Sequence, residues 1–358
     1  MMSLCLNMIV RDEAAVIGET LANLLDHLTL DYWVIHDTGS QDATPQIIEN
    51  FFAERGIAGQ LFHRAWENFG ANRQYALQDA RGHGDYVLFF DADSRFEGKL
   101  PPLPAGYDAF MLNTRRGNTL YPIKSIVRND GFYRWRGVVH EGLYPTAPRP
   151  ERILHLQGNY ALLNQSAGAR SRDASTYYRD ARLLVKALES LAPEDRDLLP
   201  RYTFYCANSW RDAQVPREAI HWYRKRIALG GWADEVYCSW LGLGIEMVKL
   251  ADHEGAMLAF LAGQEVCPER AECFYQLARL LRLQGKPHMA LLFAKEGRAR
   301  PQPGADRLFV WRDVYAYWLD YEWLLSLQKL GRLAEGAEVL ARLRKSGAPA
   351  HLWQGFAI

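Results

Sequence analysis

The stretch that decides the fold is Tyr86-Val87-Leu88-Phe89-Phe90-Asp91-Ala92-Asp93, in which five apolar residues lead directly into two aspartates one residue apart. An apolar run of this length is typical of a buried strand in a parallel sheet. Ligands of such sheets bind beyond the carboxyl ends of the strands. Two carboxylates there suit Mg²⁺ or Mn²⁺, which take further ligands from substrate phosphates. The stretch therefore points to nucleotide chemistry, although aspartates that merely end a strand give the same pattern.

The chain before this strand alternates strand and helix patterns. Three apolar runs predict strands, at 4–10, 32–36 and 60–62. Three stretches with apolar residues at helical spacing predict helices, at 14–28, 44–55 and 70–80. Because strands and helices alternate, the order predicts an α/β domain with a mostly parallel sheet and helices on both faces.

A different pattern begins after Pro104. Short apolar runs around Gly117 predict antiparallel strands, at 109–113, 120–123 and 125–128. A proline-rich surface segment follows at 145–150, and residues 153–155 are predicted to form one last strand.

The remainder, from about residue 171, has helical patterns and repeats itself. Four segments resemble one another, at 213–220, 250–257, 284–291 and 330–337. Ala256 and Ala290 lie one tetratricopeptide (TPR) period of 34 residues apart, and a small residue there lets two antiparallel helices approach. Tyr205, Tyr237 and Tyr275 are predicted to fill the space between repeats. We expect two domains, residues 1–165 and an all-α TPR-like domain at 166–358, rather than an irregular helical domain.

Composition restricts the class of protein. The chain has 358 residues, long enough for two domains, and its 42 basic and 42 acidic residues leave no net charge to attract nucleic acid or anionic membranes. Its five cysteines form no CxxC pair, which argues against a zinc module or a disulfide framework. No apolar run approaches the length of a membrane span, and the first residues lack a signal-peptide pattern. We expect a cytoplasmic protein.

A second acidic motif, Asp37-Thr38-Gly39-Ser40-Gln41-Asp42-Ala43-Thr44, follows the second predicted strand. Asp37 lies too early to cap the next helix, whereas Ser40 and Asp42 are suited to capping it. The carboxylate of Asp37 is predicted to share the crevice with Asp91 and Asp93. There it could accept hydrogen bonds from a nucleobase N–H or from ribose hydroxyls.

Taken in order, five segments of the chain resemble the inverting glycosyltransferases of family 2. The segments are the end of the first strand at 8–13, the Asp-Thr-Gly-Ser-Gln-Asp-Ala-Thr signature at 37–44, residues 66–73, the DxD at 91–93, and 135–141 with its Val-His-Glu. The helical half looks like the extension of bacterial members. The resemblance implies a GT-A fold, the Rossmann-like fold of nucleotide-diphospho-sugar transferases.

The resemblance also implies a donor pocket. Backbone groups around Val10 and Arg11 would flank the base, with Glu13 nearby. Asp37 would bind the base or the ribose, and Arg73 would contact the nucleotide or close its pocket. The family usually has asparagine where this chain has Asp12, which leaves the role of that side chain open.

The same resemblance implies a metal site and a catalytic base. Asp93 would ligate Mn²⁺ or Mg²⁺, while Asp91 would hold the ribose or a metal-bound water, with Ala92 between them in the nucleotide-sugar site. His140 is a candidate third metal ligand and His155 a rival. A metal neutralises the leaving diphosphate, and a base must deprotonate the acceptor hydroxyl. That base is predicted to be Glu141.

The predicted function is therefore a metal-dependent inverting glycosyltransferase, a hexosyltransferase that uses a UDP-, GDP- or dTDP-sugar. Its acceptor would be a glycan, a lipid-linked intermediate or a protein, held by the helical repeats, which could instead form a homodimer. The alternative is a helical-repeat scaffold that binds a protein or peptide beside an inactive nucleotide-sugar-binding domain. A nucleotidyltransferase or pyrophosphorylase is disfavoured because the loop at 11–15 has no glycine. No P-loop occurs, and the lack of GxGxxG after the first strand disfavours a dinucleotide oxidoreductase.

Overall fold

The computed structural model describes residues 2–116, 119–164, 173, 175–304 and 307–356. It divides the chain into two compact units, residues 1–183 and 184–358. The predicted domain boundary, after residue 165, falls in a stretch outside the described residues and stays a prediction. Within the described ranges, no helix has both the length and the apolar character needed to cross a membrane.

The first unit begins with the predicted alternation of strands and helices. The elements are β1 (Leu4–Val10), α1 (Ile17–His27), β2 (Tyr32–Asp37), α2 (Thr44–Arg55), β3 (Gly59–His63), α3 (Phe69–Asp79) and β4 (Tyr86–Phe89). The four strands pair in the order β3-β2-β1-β4, and all three pairs are parallel. Their carboxyl ends therefore lie along one edge of the sheet, as the sequence predicted.

Side chains of β1 alternate between two hydrophobic cores, one on each face of the sheet. Leu6 and Met8 belong to the core that includes α1 and α2. Cys5 belongs to the core that includes Leu77 of α3 and Tyr133. The prediction of helices on both faces is confirmed.

The second half of the sheet differs in detail from the prediction. Its elements are β5 (Ser94–Gly98), β6 (Ala109–Arg116), β7 (Thr119–Arg128), the hairpin strands β8 (Tyr133–Arg136) and β9 (Gly142–Pro145), β10 (Ile153–His155) and β11 (Tyr160–Asn164). The two runs predicted at 120–123 and 125–128 form the single strand β7, which pairs antiparallel with both β4 and β6.

Four strands were not predicted, namely β5, β8, β9 and β11. The run 153–155 forms β10 as expected, but β11 follows it, so β10 is not the last strand. Of the others, β8 and β9 form a separate two-stranded sheet, and β5 ends the large sheet beside β11. Ser94 and Phe96 of β5 are buried and the residues between and after them are exposed, so this edge strand lacks the continuous apolar run that marks an interior strand.

The chain then becomes helical. The helices are α4 (Thr176–Glu189), α5 (Leu199–Asp212), α6 (Pro216–Leu229), α7 (Ala233–Lys249), α8 (His253–Val266), α9 (Glu272–Leu283), α10 (Pro287–Arg298), α11 (Leu319–Lys329) and α12 (Ala337–Lys345). From α5 onward each helix packs against the next, and α7 also contacts α5 and α9. We call the side formed by α5, α7 and α9 the odd-helix face. This arrangement of stacked helix pairs is the predicted TPR-like architecture.

Small buried residues let the paired helices approach, as predicted. Ala219, Ala256 and Ala290 are all 0% exposed. In the last segment the residue at the same position is Gly336, which is also buried.

The three tyrosines predicted to fill the space between repeats have different environments. Tyr237 is fully buried, whereas Tyr205 and Tyr275 are only half-buried. Similar offsets from the turns therefore did not produce equal burial.

Candidate active site

The carboxyl edge of the sheet gathers the predicted donor-site residues of the first three strands. In the strand register, Val10 of β1 is paired with Asp37 of β2, and Asp37 is paired with His63 of β3. The carbonyl oxygen of Val10 accepts hydrogen bonds from the backbone N–H and the hydroxyl of Thr38, at 2.9 and 3.0 Å. Val10 is buried and the following Arg11 is exposed. The loops after β1 and β2 therefore begin side by side.

Asp12 ties the loop after β1 to the loop after β2. Its Oδ1 accepts a hydrogen bond from the backbone N–H of Gln41 at 2.7 Å, and its own N–H donates to Ser40 Oγ at 2.9 Å. The N–H of Glu13 donates to Thr44 Oγ1 at 2.8 Å. Asp12 has φ of 54°, a left-handed conformation that asparagine and aspartate tolerate better than most residues. Both residues also offer the acceptor oxygen, so aspartate can replace asparagine here.

Asp42 organises the start of α2. Its Oδ1 accepts hydrogen bonds from the N–H and the hydroxyl of Thr44, and its Oδ2 accepts one from the N–H of Ala14 at 3.0 Å. Burial raises the pKa of the Asp42 carboxyl, but these hydrogen bonds outweigh that effect and hold the pKa below its usual range. The cap residue of α2 is Ala43, which makes no side-chain cap hydrogen bond, so neither predicted residue is the cap: Asp42 binds Thr44 from one position earlier, and Ser40 binds Asp12.

Asp37 is almost fully buried at the carboxyl edge. It is 4% exposed, and its Oδ1 accepts a hydrogen bond from the N–H of Ser40 at 3.1 Å. Its Oδ2 lies 3.2 Å from Nδ1 of His63, whose side chain is mostly exposed. Sequence reasoning missed His63 because the β3 pattern was weak. The available signal was its place at the carboxyl end of the strand next to β2.

Arg73 joins two of the predicted site carboxylates. Its Nη2 donates to Asp91 Oδ1 at 2.7 Å, and its Nε donates to Glu141 Oε1 at 2.6 Å. Burial alone would lower the pKa of the guanidinium, but the charges and hydrogen bonds of Asp91 and Glu141 raise it above its ordinary value. Trp135 lies beside the guanidinium, 5.2 Å from Cζ to the ring centroid. The arginine is thus a fixed positive charge between two acids.

Close packing of α3 against the β8–β9 connection brings Glu141 to Arg73. The side chain of Asn68 caps α3 by accepting from the N–H of Ala71, and the N–H of Phe69 donates to the carbonyl oxygen of Val138 at 3.1 Å. A Cβ atom added to Gly70 would lie 2.1 Å from the carbonyl oxygen of Gly137. Only glycine at position 70 allows this approach.

Replacing Gly70 with alanine is expected to push α3 away from the β8–β9 connection. Because the added methyl would meet backbone, which cannot rotate away, we expect a loss of about 1–3 kcal/mol in the free energy of unfolding. Gly18→Ala is the matched control, since its added Cβ has ordinary contact, 3.6 Å from Ile47, and alanine is the better helix former. Urea unfolding followed by circular dichroism measures both. A Gly70→Ala protein as stable as Gly18→Ala would contradict this account.

The turn after β4 holds the DxD residues. The carbonyl oxygen of Asp91 accepts from the N–H of Ser94 at 3.0 Å, and that of Ala92 accepts from the hydroxyl of Thr20 at 2.7 Å. Ala92 is buried, while Asp91 and Asp93 are partly exposed. The two carboxylates are therefore accessible beside a backbone turn that is anchored to α1.

The two candidate histidine ligands have different surroundings. His140 is exposed, next to Glu141, with φ of 53°. His155 lies with Nε2 2.8 Å from Asn113 Oδ1 and Nδ1 2.9 Å from Gln157 Nε2, so both ring nitrogens contact side-chain amides. Among the described residues, no group of three or more His, Cys, Asp or Glu side chains is placed to hold a metal ion. A metal-ligand role for either histidine stays a prediction.

A protein-family model matches the part of the chain that forms this edge of the sheet. Residues 5–153 match the family model described as Glycosyl transferase family 2. The matched range begins in β1 and ends at the start of β10, so it contains Asp37, Arg73, Asp91 and Glu141. The resemblance drawn from the sequence is confirmed for this domain.

The helical region has relatives of its own. A TPR repeat-containing protein of Synechococcus elongatus is 41% identical over 92 residues, which are 25% of this chain and 20% of that protein. The chain thus spans about a fifth of the length of this curated relative. TPR-like helical relatives agree with the predicted repeat architecture.

Solved structures also resemble the chain. A crystal structure of MamA aligns with 51% of this chain and 95% of its own, at 13% identity and a TM-score of 0.39. BtubC from P. vanneervenii aligns with 48% of this chain and 72% of its own, at 15% identity and a TM-score of 0.40. YrrB, described as a TPR protein with an unusual peptide-binding site, aligns with 50% of this chain and 89% of its own, at 18% identity and a TM-score of 0.35.

Proposed function

We propose that the chain is a metal-dependent, inverting glycosyltransferase that moves a sugar from a nucleotide-diphosphate sugar to an acceptor hydroxyl. One observation carries the proposal beyond the family match. Arg73 holds Asp91 of the DxD and Glu141 together, within hydrogen-bonding distance of one guanidinium. A carboxylate suited to the donor side and a carboxylate suited to proton transfer therefore lie within the reach of one substrate.

The donor nucleotide is assigned to the loops after β1, β2 and β3. Asp37 is buried and held by Ser40 and His63, so its carboxylate has a defined position. We assign it to the base or ribose, with the backbone of Val10 and Arg11 beside the base. Glu13 lies in the loop after β1, and its carbonyl oxygen accepts a hydrogen bond from the N–H of Ile17, the first residue of α1, at 2.9 Å.

The metal is assigned to the DxD. Asp91 and Asp93 offer hard oxygen donors at an accessible edge, a set that fits Mn²⁺ or Mg²⁺. When bound, such an ion would neutralise the charge that develops on the leaving diphosphate. His140, which is exposed and adjacent to Glu141, is the first candidate for completing the site, and His155 is its rival.

Glu141 is assigned as the general base. Arg73 binds its Oε1, and the carboxylate is largely buried, which orients the side chain. In the proposed step Glu141 accepts the proton of the acceptor hydroxyl as that oxygen attacks the anomeric carbon. The bond from the anomeric carbon to the diphosphate oxygen breaks on the opposite side, so the configuration inverts and a nucleoside diphosphate leaves. Arg73 does not accept the proton because its guanidinium stays charged.

A donor screen tests the proposal. We expect one of the UDP-, GDP- or dTDP-sugars, added with Mn²⁺, to raise the thermal midpoint, since a ligand that binds the native state stabilises it. We expect Asp37→Asn to weaken that donor by about tenfold or more, because it removes a charged hydrogen-bond acceptor. Asp26→Asn, an exposed change on α1, is the control and should bind like the wild type.

Two outcomes would count against the proposal. If no nucleotide-sugar changes the midpoint of the wild-type protein, the donor assignment fails. If a donor binds but no acceptor class receives sugar, the domain is a binding module and the alternative of an inactive scaffold is correct.

A further inference from the structure

The connection between α10 and α11 folds over the odd-helix face. Residues 307–311 of this connection, which we call the strap, contact residues at α5, at α7 and at the start of α9. Helical patterns in the sequence had suggested helix throughout this half, but these residues lie outside the helices. The strap therefore occupies the side of the repeats on which successive odd-numbered helices meet.

Two buried, oppositely charged side chains bind the strap through its main chain. Arg270 donates from Nη1 to the carbonyl oxygen of Leu308 at 2.7 Å and from Nη2 to that of Phe309 at 3.2 Å. Glu272 Oε1 accepts from the N–H of Trp311 at 3.1 Å. Arg270 and Glu272 are both 0% exposed. These contacts recognise a polypeptide backbone and not a particular side chain.

The binding groups are held rigidly. Arg270 pairs with Glu272 in a two-pronged arrangement, with distances of 2.8 and 3.2 Å. The hydroxyls of Tyr237 and Tyr315 donate to Glu272 Oε2 at 3.1 and 2.9 Å. Because each group is fixed by several partners, the site does not depend on the strap for its shape.

The strap itself is held less firmly at Phe309. Its ring stacks on Phe204 of α5, with centroids 6.1 Å apart, yet the residue is 49% exposed. Its φ of 49° is in the left-handed region, which is unfavourable for a bulky residue. Val310, in contrast, packs against the apolar cluster that contains Ala271 and Val314. The strap is thus anchored on both sides of Phe309, by Val310 and by Arg307, whose guanidinium pairs with Asp234 and Glu269, while Phe309 itself is strained and half-exposed.

We propose that the strap is an intramolecular inhibitor, which occupies the odd-helix face and must be displaced before a polypeptide partner can bind there. The partner would present two successive carbonyl groups to Arg270, an N–H two residues later to Glu272, and an aromatic ring to Phe204. Such a partner competes with the strap, which sets a threshold for binding. This inference concerns binding and stands apart from the proposed sugar transfer.

The test weakens the strap without altering the face that it covers. Phe309→Ala removes the ring stack and keeps the strained backbone. Leu292→Ala on α10 is the control, since Leu292 is equally exposed, at 49%. The probe is a fluorescent peptide with the sequence of residues 307–313. Fluorescence anisotropy should show about tenfold tighter binding to Phe309→Ala than to the wild type or the control, as expected for the loss of one aromatic contact.

A second peptide and hydrogen exchange complete the design. The same peptide with alanine in place of its phenylalanine should bind Phe309→Ala about tenfold more weakly. In Phe309→Ala the strap amides should exchange faster while those of α5, α7 and α9 are unchanged. Equal peptide binding by the variant and the wild type would overturn the proposal. Faster exchange throughout the three helices would overturn it as well, because the strap would then be part of the helical core.

Discussion

Glu141→Gln is expected to lower kcat by roughly 100-fold to 10,000-fold, the usual contribution of a positioned general base. Glutamine keeps the size of the side chain and can still accept the hydrogen bond from Arg73 Nε. It cannot, however, take up the proton of the sugar-accepting hydroxyl. Donor affinity should therefore stay close to the wild-type value. Steady-state transfer assays with the donor identified by the screen, together with donor binding measured by thermal shift, separate the two effects.

Glu49→Gln is the control for this experiment. Glu49 is an exposed residue on α2, so its variant should transfer sugar at the wild-type rate. Full activity in Glu141→Gln would remove Glu141 as the base. A parallel loss of donor affinity and activity would instead assign Glu141 to the donor site.

The second large effect is expected in the helical unit, at Glu272. This carboxylate accepts hydrogen bonds from Arg270, Tyr237, Tyr315 and the N–H of Trp311, and it is fully buried. Glu272→Gln leaves the Arg270 guanidinium buried without its closest counter-charge and turns an amide NH₂ toward other donors. Breaking a buried pair in this way destabilises by about 3–5 kcal/mol. Urea unfolding followed by far-UV circular dichroism measures the change.

The pH dependence of that difference provides an independent check. Burial by itself would raise the pKa of Glu272, but the hydrogen bonds and charge of Arg270 hold the pKa below its ordinary value of 4.5. A lowered pKa in the folded state stabilises at pH values above 4.5, and this stabilisation is lost as the pH falls through the folded-state pKa. The difference in the free energy of unfolding between the wild type and Glu272→Gln should therefore become smaller in acid.

The exposed pair of Arg332 and Glu335 offers a control. Glu335→Gln removes a carboxylate of the same type from a surface ion pair, and we expect no measurable change in stability. A Glu272→Gln protein as stable as this control would show that the buried pair does not stabilise the repeats.

Much of the fold could be read from the sequence because local patterns report burial. The apolar run before Asp91 identified an interior strand, and helical spacing identified the helices on either side of it. Ala219, Ala256 and Ala290 could be recognised as helix-contact positions, since a small residue recurs there. The family 2 motifs are short segments, so they can be recognised in a single sequence.

Sequence patterns did not predict segments that are only partly buried or that lie between two helices. The edge strand β5 has too few buried residues to form an apolar run. The strap has no helical pattern of its own and lies between two segments that do, so the sequence suggested continuous helix.

The sequence by itself determined the alternation of strands and helices up to β4, the acidic residues at the carboxyl edge and the repeat of helix pairs. Only the tertiary structure decided that Arg73 lies between Asp91 and Glu141, that His63 contacts Asp37, and that residues 307–311 cover the odd-helix face. The physical reason is the range of the interactions. The burial of a residue is indicated by the pattern of residues near it in the sequence. A contact between side chains that are distant in the sequence depends instead on strand register, loop closure and helix packing over the whole domain.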